Sequence, residues 1–147
     1  MRVFRLHRGH RAAADYQGSL IQPNRWNPAG VPILYCSGAL SLACLEVLVH
    51  LGPDQIPPDY VYSSAELEAP VETAEFRGDL ADEEATRRLG HAWATSRESL
   101  ALLVPSAIIP VEFNVLLNPV HPSYTSVVWN APEPFRFDQR LLRTSVP

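Results

Sequence analysis

Lysine is absent from this sequence, and all twelve basic residues are arginine. The absence excludes mechanisms that need a lysine side chain, such as Schiff-base chemistry and the phosphate-binding lysine of P-loop proteins. The chain also lacks the Gly-x-Gly-x-x-Gly and Walker patterns of the two common nucleotide cradles. Any contact to a phosphate group must therefore come from arginine or from main-chain N–H groups.

Cysteine is scarce as well. Cys36 and Cys44 both lie in apolar runs, and two cysteines are too few for a disulfide framework or a thiolate zinc site. We expect both to be reduced thiols in the core. His7 and His10 form the only closely spaced histidine pair, with no Asp, Glu or Cys companion at metal-ligand spacing. We therefore expect no metal site.

Long hydrophobic runs are missing too. No segment approaches the ~20 apolar residues that a membrane-spanning helix needs, and the first residues contain no apolar stretch of signal-peptide length. The net charge of -4 provides no basic field that would attract a phosphate backbone. The sequence thus predicts a cytoplasmic protein that binds neither membranes nor nucleic acid directly.

The residues that are present indicate one globular domain over positions 1–147, because 46% of them are hydrophobic and the chain has ordinary single-domain length. Fourteen prolines divide it into short elements. Strands are expected at 2–6, 31–36, 60–67, 100–109, 112–118 and 135–141, and helices at 39–51 and 82–99. Strands and helices in this mixed order favour an α+β fold.

Glu46 is the most informative single residue. It lies in the expected helix at 39–51, in which ten of thirteen residues are apolar, so we expect this helix to be buried nearly all round. A carboxylate there loses hydration and needs a partner or a pocket. His50 follows one turn later on the same face. A structural Glu-His pair and a catalytic carboxylate explain the pattern equally well.

Arg25 and Tyr35 are two further candidates. Arg25 lies in a turn-rich segment beside Trp26, where a guanidinium could bind a phosphate or carboxylate, although stacking on Trp26 at the surface is the simpler interpretation. Tyr35 ends an expected strand just before the Glu46 helix. Its ring could hold a flat heterocycle, and packing in the core is the alternative.

Ser106 stands between two apolar runs without the Gly-x-Ser-x-Gly pattern of a nucleophile elbow. A hydrogen-bonding or turn role is therefore favoured over nucleophilic attack. Asn114 and Asn118 lie near expected turns, which explain asparagine adequately.

Five segments together resemble the RES domain family of bacterial toxins. The segments are Arg-Trp-Asn-Pro-Ala-Gly at 25–30, Ile-Leu-Tyr at 33–35, the apolar run at 42–51, Leu-Val-Pro-Ser-Ala at 103–107 and Asn-Val-Leu-Leu-Asn-Pro-Val-His-Pro at 114–122. Gly-Gly, which commonly precedes the Arg-Trp pair in that family, is replaced here by Pro23-Asn24. The resemblance covers nearly the whole chain.

The resemblance implies an ADP-ribosyltransferase-like fold, with mixed, mainly antiparallel sheets and a buried helix that carries Glu46. It implies NAD as the substrate, with no further cofactor. It also implies an Xre-like helix-turn-helix antitoxin that blocks the pocket, with a homodimer as the candidate assembly inside the toxin–antitoxin complex. It assigns catalytic positions to Glu46, Arg25 and Tyr35. The substrate-binding candidates are Arg5, Ser106, His50 and Asn118.

These roles define a hypothesis for the reaction. Glu46 stabilises the positive charge that develops when the nicotinamide–ribose bond of NAD breaks, and Arg25, with Arg5, binds the pyrophosphate. Tyr35 stacks on nicotinamide, and Ser106 binds its amide or the ribose. The hypothesis requires Glu46 and Arg25 to converge on one cavity. The alternatives are a protein mono-ADP-ribosyltransferase, a catalytically inactive fold that only binds an antitoxin, and an unrelated binding module.

Overall fold

The computed structural model describes residues 1–52, 54–68, 71–73, 76 and 78–142. Its strands are β1 (Arg2–Arg8), β2 (Leu34–Ser37), β3 (Tyr60–Glu66), β4 (Val71–Thr73), β5 (Ala101–Pro105), β6 (Phe113–Leu117) and β7 (Glu133–Pro134). Its helices are α1 (Gln17–Ile21), α2 (Leu40–Leu48) and α3 (Glu83–Ser96), with 3₁₀ turns at Pro122–Ser126 and Gln139–Leu142.

Within the described ranges the strands form a seven-stranded sheet in the order β4-β5-β6-β2-β1-β3-β7. The pair β4-β5 is parallel and the other neighbours are antiparallel. The expected α+β class and the mixed, mainly antiparallel pairing are confirmed. In the part of the chain that the structure describes, no helix is both long enough and apolar enough to cross a membrane.

The predicted strand at 135–141 is wrong. The strand that pairs with β3 here is Glu133–Pro134; Phe135 adds one main-chain hydrogen bond to the Tyr60 carbonyl at 2.9 Å, and the chain then reaches a 3₁₀ turn at Gln139–Leu142. The alternating aromatics instead form a small cluster, in which the ring of Phe137 lies 5.1 Å from that of Phe135 and 5.6 Å from that of Tyr60. Asp138 bends the chain by accepting from the Arg140 N–H at 2.8 Å. The alternation therefore reflects packing onto β3 and α2, without a strand ladder.

The two faces of the sheet have different partners, because successive strand residues point to opposite sides. The front face carries Tyr35 and Ser37 of β2, and α2 and α3 pack against it. The back face carries Leu34 and Cys36 and holds the largest cluster of buried hydrophobic residues. Both cysteines are free thiols, as expected. The front face between the two helices is the floor on which the site is built.

Helix α2 is buried mainly over its first half. Leu42, Ala43 and Cys44 are buried, whereas Glu46 is half-buried and Val49, just beyond the helix, is 61% exposed. This corrects the expectation that residues 39–51 would be buried nearly all round. The apolar residues of the second half border an open cleft, which is why their pattern resembles that of a core helix.

Helix α3 follows its sequence signals more closely. Asp82 caps it by accepting from the Ala85 N–H at 3.0 Å, and acidic side chains occupy the first turn, where they complement the helix dipole. The helix ends at Arg97, which has a left-handed backbone with φ of 57°. Trp93 and Ala94 face the sheet and are buried. The outer side of its first two turns is left facing the cleft and solvent.

Candidate active site

A cleft with a volume of about 630 Å³ lies over the front face of the sheet. This volume is typical of sites that bind small molecules. One wall comes from α2 and the end of β6, and the other comes from the loop between α1 and β2, together with α3. The lining includes Glu46, His50, Tyr35, Asn114, Arg25 and Arg87. The structure thus brings Glu46 and Arg25 to the same cavity from opposite walls.

The carboxylate of Glu46 is held by two side chains from strand ends. Ser106 Oγ donates to Glu46 Oε1 at 2.8 Å, and Asn114 Nδ2 donates to the same oxygen at 2.5 Å. Ser37 Oγ in turn donates to Asn114 Oδ1 at 2.7 Å, across the β2-β6 ladder that pairs these two residues. Among the described residues, no hydrogen bond reaches Glu46 Oε2. The carboxylate is therefore oriented while one oxygen stays available to a ligand.

Ser106 is fully buried, and its hydroxyl has a filled set of partners. Its Oγ accepts the N–H groups of Ile108 at 3.0 Å and Ile109 at 3.1 Å while it donates to Glu46. The serine thereby shapes the turn after β5 and orients the carboxylate. The sequence favoured a hydrogen-bonding or turn role for Ser106, and the structure agrees. It adds that the hydroxyl donates to Glu46.

The opposite wall is built by residues 22–33, which we call the Arg25 loop. Asn24 and Asn27 close a tight turn, in which the Asn24 N–H donates to the Asn27 carbonyl at 3.0 Å. The Arg25 side chain projects from this turn and donates through Nη1 to the Leu80 carbonyl. Pro23-Asn24 therefore supports a well-defined bend in place of Gly-Gly.

Helix α3 fixes the Arg25 loop through main-chain contacts. Thr86 Oγ1 donates to the Arg25 carbonyl at 2.5 Å, and Arg87 Nε donates to the Asn24 carbonyl at 2.9 Å. Gly90 allows the closest approach, since a Cβ at this position would lie 1.8 Å from the Trp26 carbonyl oxygen. A glycine inside a helix lowers stability. Here it is required because any larger side chain would collide with the Arg25 loop.

Trp26 anchors the same loop from inside. It is only 2% exposed, and its ring meets that of Phe76 edge-on at 5.5 Å between ring centres. It also packs in the cluster that contains Trp93. Trp26 is therefore a core residue, and it does not form the exposed stacking platform for Arg25 that was the simpler interpretation.

Tyr35 stands on the floor between the two walls. Its hydroxyl donates to Asn27 Oδ1 at 2.7 Å and accepts the Trp26 N–H at 3.1 Å. Burial raises the pKa of this hydroxyl, so it remains protonated and able to donate. The hydroxyl is thus committed to the Arg25 loop, while the residue also lines the cleft.

Arg5 borders the cleft, but its guanidinium is held elsewhere. Phe4 and Leu6 of β1 point to the front face, and alternation along the strand sends the Arg5 side chain to the back. There it donates to the carbonyls of Ala12 and Ala13, at 3.3 and 2.5 Å. Burial lowers the pKa of the Arg5 guanidinium.

The remaining two candidates differ in position. His50 is exposed and lines the cleft, and no hydrogen bond or ion pair joins its side chain to Glu46. The structural Glu-His pair is therefore not formed. Asn118 is fully buried outside the cleft lining, where it donates to the Ala94 carbonyl at 3.0 Å and accepts the Val120 N–H at 3.1 Å. It joins the end of β6 to α3.

Three cleft residues were not singled out from the sequence as site residues. Asn114 was explained by turns, and Ser37 and Arg87 were not considered. Asn114 carried a usable signal, because it is a polar residue on the same strand face as the buried Leu116. Arg87 carried a misleading one, since Glu83 four residues earlier is typical of an exposed ion pair. Within the described ranges, no three His, Cys, Asp or Glu side chains cluster as metal ligands would.

Comparison with known proteins identifies the family to which this sequence is similar. A model described as the RES domain matches residues 2–138. The Prs ADP-ribosylating toxin of Sphingobium sp. (strain YBL2) is 36% identical over 143 residues, which cover 86% of this chain and 84% of that protein. A protein named Toxin Res from Photorhabdus laumondii subsp. laumondii is 31% identical, with coverage of 97% and 98%. Another Toxin Res, from Pseudomonas putida, is 38% identical, with coverage of 88% and 94%.

A solved structure shares the fold. A chain of the M. tuberculosis MbcT-MbcA toxin-antitoxin complex aligns with a TM-score of 0.69 and 16% sequence identity. The alignment covers 91% of this chain and 83% of that one. At this identity the likeness concerns the arrangement of helices and strands alone, and the site must be argued from its own residues.

Proposed function

Because this chain belongs to the RES domain family, we propose that it is the toxin of a toxin–antitoxin pair and that it cleaves the nicotinamide–ribose bond of NAD. The observation that supports the proposal most directly is the Glu46 carboxylate, which two donors hold at Oε1 on one wall of the cleft. Arg25 stands on the other wall. A fixed anion and a cation on opposite walls suit a ligand with a developing positive charge at one end and phosphates at the other.

Glu46 acts on the ribose in this proposal. The bond between ribose C1′ and the nicotinamide nitrogen breaks, and its electron pair leaves with nicotinamide. The sugar acquires oxocarbenium character, which a preorganised carboxylate stabilises. Water then adds to C1′ and releases a proton, which gives ADP-ribose. Glu46 Oε2 accepts hydrogen bonds from the ribose hydroxyls or lies beside the cation, while Oε1 remains bound to Ser106 and Asn114.

The other residues position NAD. Arg25 binds the pyrophosphate, because a guanidinium makes strong charge-assisted hydrogen bonds to phosphate oxygens. The Tyr35 ring contacts nicotinamide, while its hydroxyl holds the Arg25 loop. His50 borders the cleft and is assigned to the substrate's outer parts. The Arg5 guanidinium is held by the Ala12 and Ala13 carbonyls at the back of the sheet, so we assign it no contact with the substrate. Ser106 and Asn118 act through neighbouring groups, since both are fully buried.

Transfer of ADP-ribose to a protein is the second candidate function. It is favoured by one observation: a relative 36% identical to this chain is named an ADP-ribosylating toxin. The same break at C1′ serves both reactions, and a protein side chain replaces water as the acceptor.

An antitoxin completes the proposal. A toxin that consumes free NAD in the bacterial cytoplasm would damage its own cell, so an inhibitor must block the cleft. We assign this role to an Xre-like helix-turn-helix protein that binds a homodimer of the toxin. The fold neighbour, which was solved as a toxin-antitoxin complex, supports an antitoxin as the partner; its Xre type and the homodimer are part of the proposal.

The test is the release of nicotinamide from NAD by the purified protein, followed by chromatography. Replacement of Glu46 by Gln keeps the shape of the side chain but removes its charge. We expect the E46Q variant to lose about 100- to 1000-fold in kcat, as other enzymes do when they lose one charge-stabilising group, with an unchanged melting temperature.

Glu84→Gln is the matched control, because Glu84 lies on the exposed side of α3, and it should behave as the wild type. Nicotinamide release at the wild-type rate by E46Q would remove Glu46 from the mechanism. Incubation with NAD labelled in its adenylate part distinguishes the acceptors: label in free ADP-ribose supports hydrolysis, and label on a protein target supports transfer. If the wild type releases no nicotinamide, the proposed reaction is wrong, and the alternative of an inactive fold that only binds an antitoxin is favoured.

A further inference from the structure

Two neighbouring arginines on α3 have nearly identical local partners but different surroundings. Arg87 pairs with Glu83 and Arg88 pairs with Glu84, each across four residues and each at 2.6 Å between nitrogen and oxygen. The Arg87 and Glu83 side chains are 32% and 51% exposed and line the cleft, whereas Arg88 and Glu84 are 65% and 84% exposed and lie outside its lining. The sequence alone gives no reason to distinguish the two pairs.

The Arg87 guanidinium is fixed at one edge and open at the other. Its Nε donates to the Asn24 carbonyl, which holds the side chain against the Arg25 loop, and its Nη2 contacts Glu83. Among the described residues, none accepts a hydrogen bond from Nη1. An ion pair between partly exposed side chains contributes little to stability. Glu83 can therefore be exchanged for another anion while Nε keeps the guanidinium in place.

The other two cleft arginines are engaged differently. Arg25 and Arg5 both donate through Nη1 to main-chain carbonyls, which are neutral. Of the arginines that line this cleft, Arg87 is the one whose charge is balanced by a carboxylate of the same cleft. Glu83 contacts Nη2 alone, which leaves Nη1 and Nη2 together as a fork that suits two oxygens of one phosphate.

We propose that Arg87 is a phosphate-binding residue of the cleft and that Glu83 is the internal anion which a ligand's phosphate displaces. The inference rests on the proposed function in that the ligand is a dinucleotide with a pyrophosphate. It assigns to α3 a role in binding as well as in support of the Arg25 loop. It also predicts that removal of Glu83 strengthens binding, which a purely structural ion pair would not do.

The main experiment measures binding of ADP-ribose by calorimetry, so that its readout does not depend on turnover. We expect Arg87→Gln to weaken binding by about 10-fold or more, the effect of losing a charge-assisted contact. Glu83→Gln should tighten binding a few-fold. The matched controls Arg88→Gln and Glu84→Gln should stay within about twofold of the wild type, since that pair has the same i,i+4 geometry but is more exposed and lies outside the cleft lining.

A phosphate-free substrate separates contact from loop support. Nicotinamide riboside has the scissile bond but no phosphate. Loss of loop support lowers kcat/KM for both substrates equally, so if Arg87 also binds phosphate, R87Q should lower kcat/KM about 10-fold more for NAD than for nicotinamide riboside. An equal loss on both substrates would overturn the proposal and assign Arg87 only to the support of Asn24.

Inorganic pyrophosphate provides a probe that is independent of NAD cleavage. In one outcome the wild type binds pyrophosphate but fails to cleave NAD, while R87Q binds no pyrophosphate. That result would support the Arg87 assignment and overturn the proposed function. If instead the wild type cleaves NAD, and R87Q binds ADP-ribose and pyrophosphate as tightly as the wild type does, the proposed function stands and the Arg87 assignment is overturned. Binding of neither ligand by the wild type would overturn both.

Discussion

The two walls of the cleft are organised in opposite ways. On the Glu46 wall, side chains hold side chains: Ser106 and Asn114 donate directly to the carboxylate, and both project from the ends of regular strands. On the Arg25 wall, α3 holds the main chain: Thr86 and Arg87 donate to carbonyls of an irregular loop. Polar side chains supply the donors on both walls, but they hold a side chain on one wall and the main chain of a loop on the other.

This difference determines what a substitution does. On the Glu46 wall, removal of one polar group leaves the strands and α2 intact, so the effect should appear in the chemical step. On the Arg25 wall, a change in α3 moves the loop backbone, so stability and substrate binding should change together. Four substitutions test this contrast, and the one with the largest expected effect comes first.

Gly90→Ala should give the largest effect. The new Cβ would overlap the Trp26 carbonyl oxygen, so the loop or the helix must shift. We expect a loss of about 3 kcal/mol in the free energy of unfolding, typical of severe overpacking, together with weaker ADP-ribose binding. Thermal and urea denaturation, with calorimetry for the ligand, measure both quantities.

Gly18→Ala is the control for this substitution. Gly18 lies in α1, and nothing stands within 4 Å of a Cβ added there. The alanine should leave stability unchanged or raise it by about 0.4–1 kcal/mol, through the lower entropy of the unfolded chain. Wild-type stability in G90A would show that the contact with Trp26 does not constrain the loop.

Asn114→Ala should give an intermediate effect that is confined to the chemical step. The variant removes one of the two donors to Glu46 Oε1. We expect kcat for NAD to fall about 10- to 100-fold, the weight of a hydrogen bond to a charged group, with little change in KM. Steady-state kinetics give both constants.

Ser37→Ala tests a more distant member of the hydrogen-bond network around Glu46. Ser37 acts on Glu46 only through Asn114, so its loss should lower kcat by roughly threefold. An S37A effect as large as that of N114A would show that the network does not transmit orientation stepwise, and a KM effect in N114A would indicate direct contact with substrate.

Tyr35→Phe should have a modest effect, which appears in stability, and it tests the residue that lies between the two walls. The variant leaves the Trp26 N–H and Asn27 Oδ1 without the hydroxyl they share, which should cost about 1 kcal/mol in the free energy of unfolding. The ring remains, so nicotinamide release should persist. Tyr60→Phe is the control, since the described residues provide no hydrogen bond to the Tyr60 hydroxyl. Equal stability of Y35F and the wild type would contradict the anchoring role of this hydroxyl.

Much of the fold was accessible from local patterns. The sequence predicted β1, β3, α2 and α3 at nearly their observed positions. The strand predicted at 135–141 was wrong for a reason that no local pattern shows. The segment at 135–141 alternates because its aromatic rings pack onto β3 and α2, and a short stretch cannot show whether a sheet edge is available to pair with it.

The sequence by itself determined the chemical inventory: a carboxylate in an apolar helix, a turn-bound arginine, an aromatic floor residue, and guanidinium as the only side-chain cation besides histidine. Those properties follow from residue type and local spacing. Only the tertiary structure decided that Ser106 and Asn114 hold Glu46 across 60 and 68 residues of chain, that Arg5 turns to the back of the sheet, and that Arg87 rather than Arg88 faces the cleft. The physical reason is that strand register and helix rotation fix where each side chain points, and both are set by packing between distant segments.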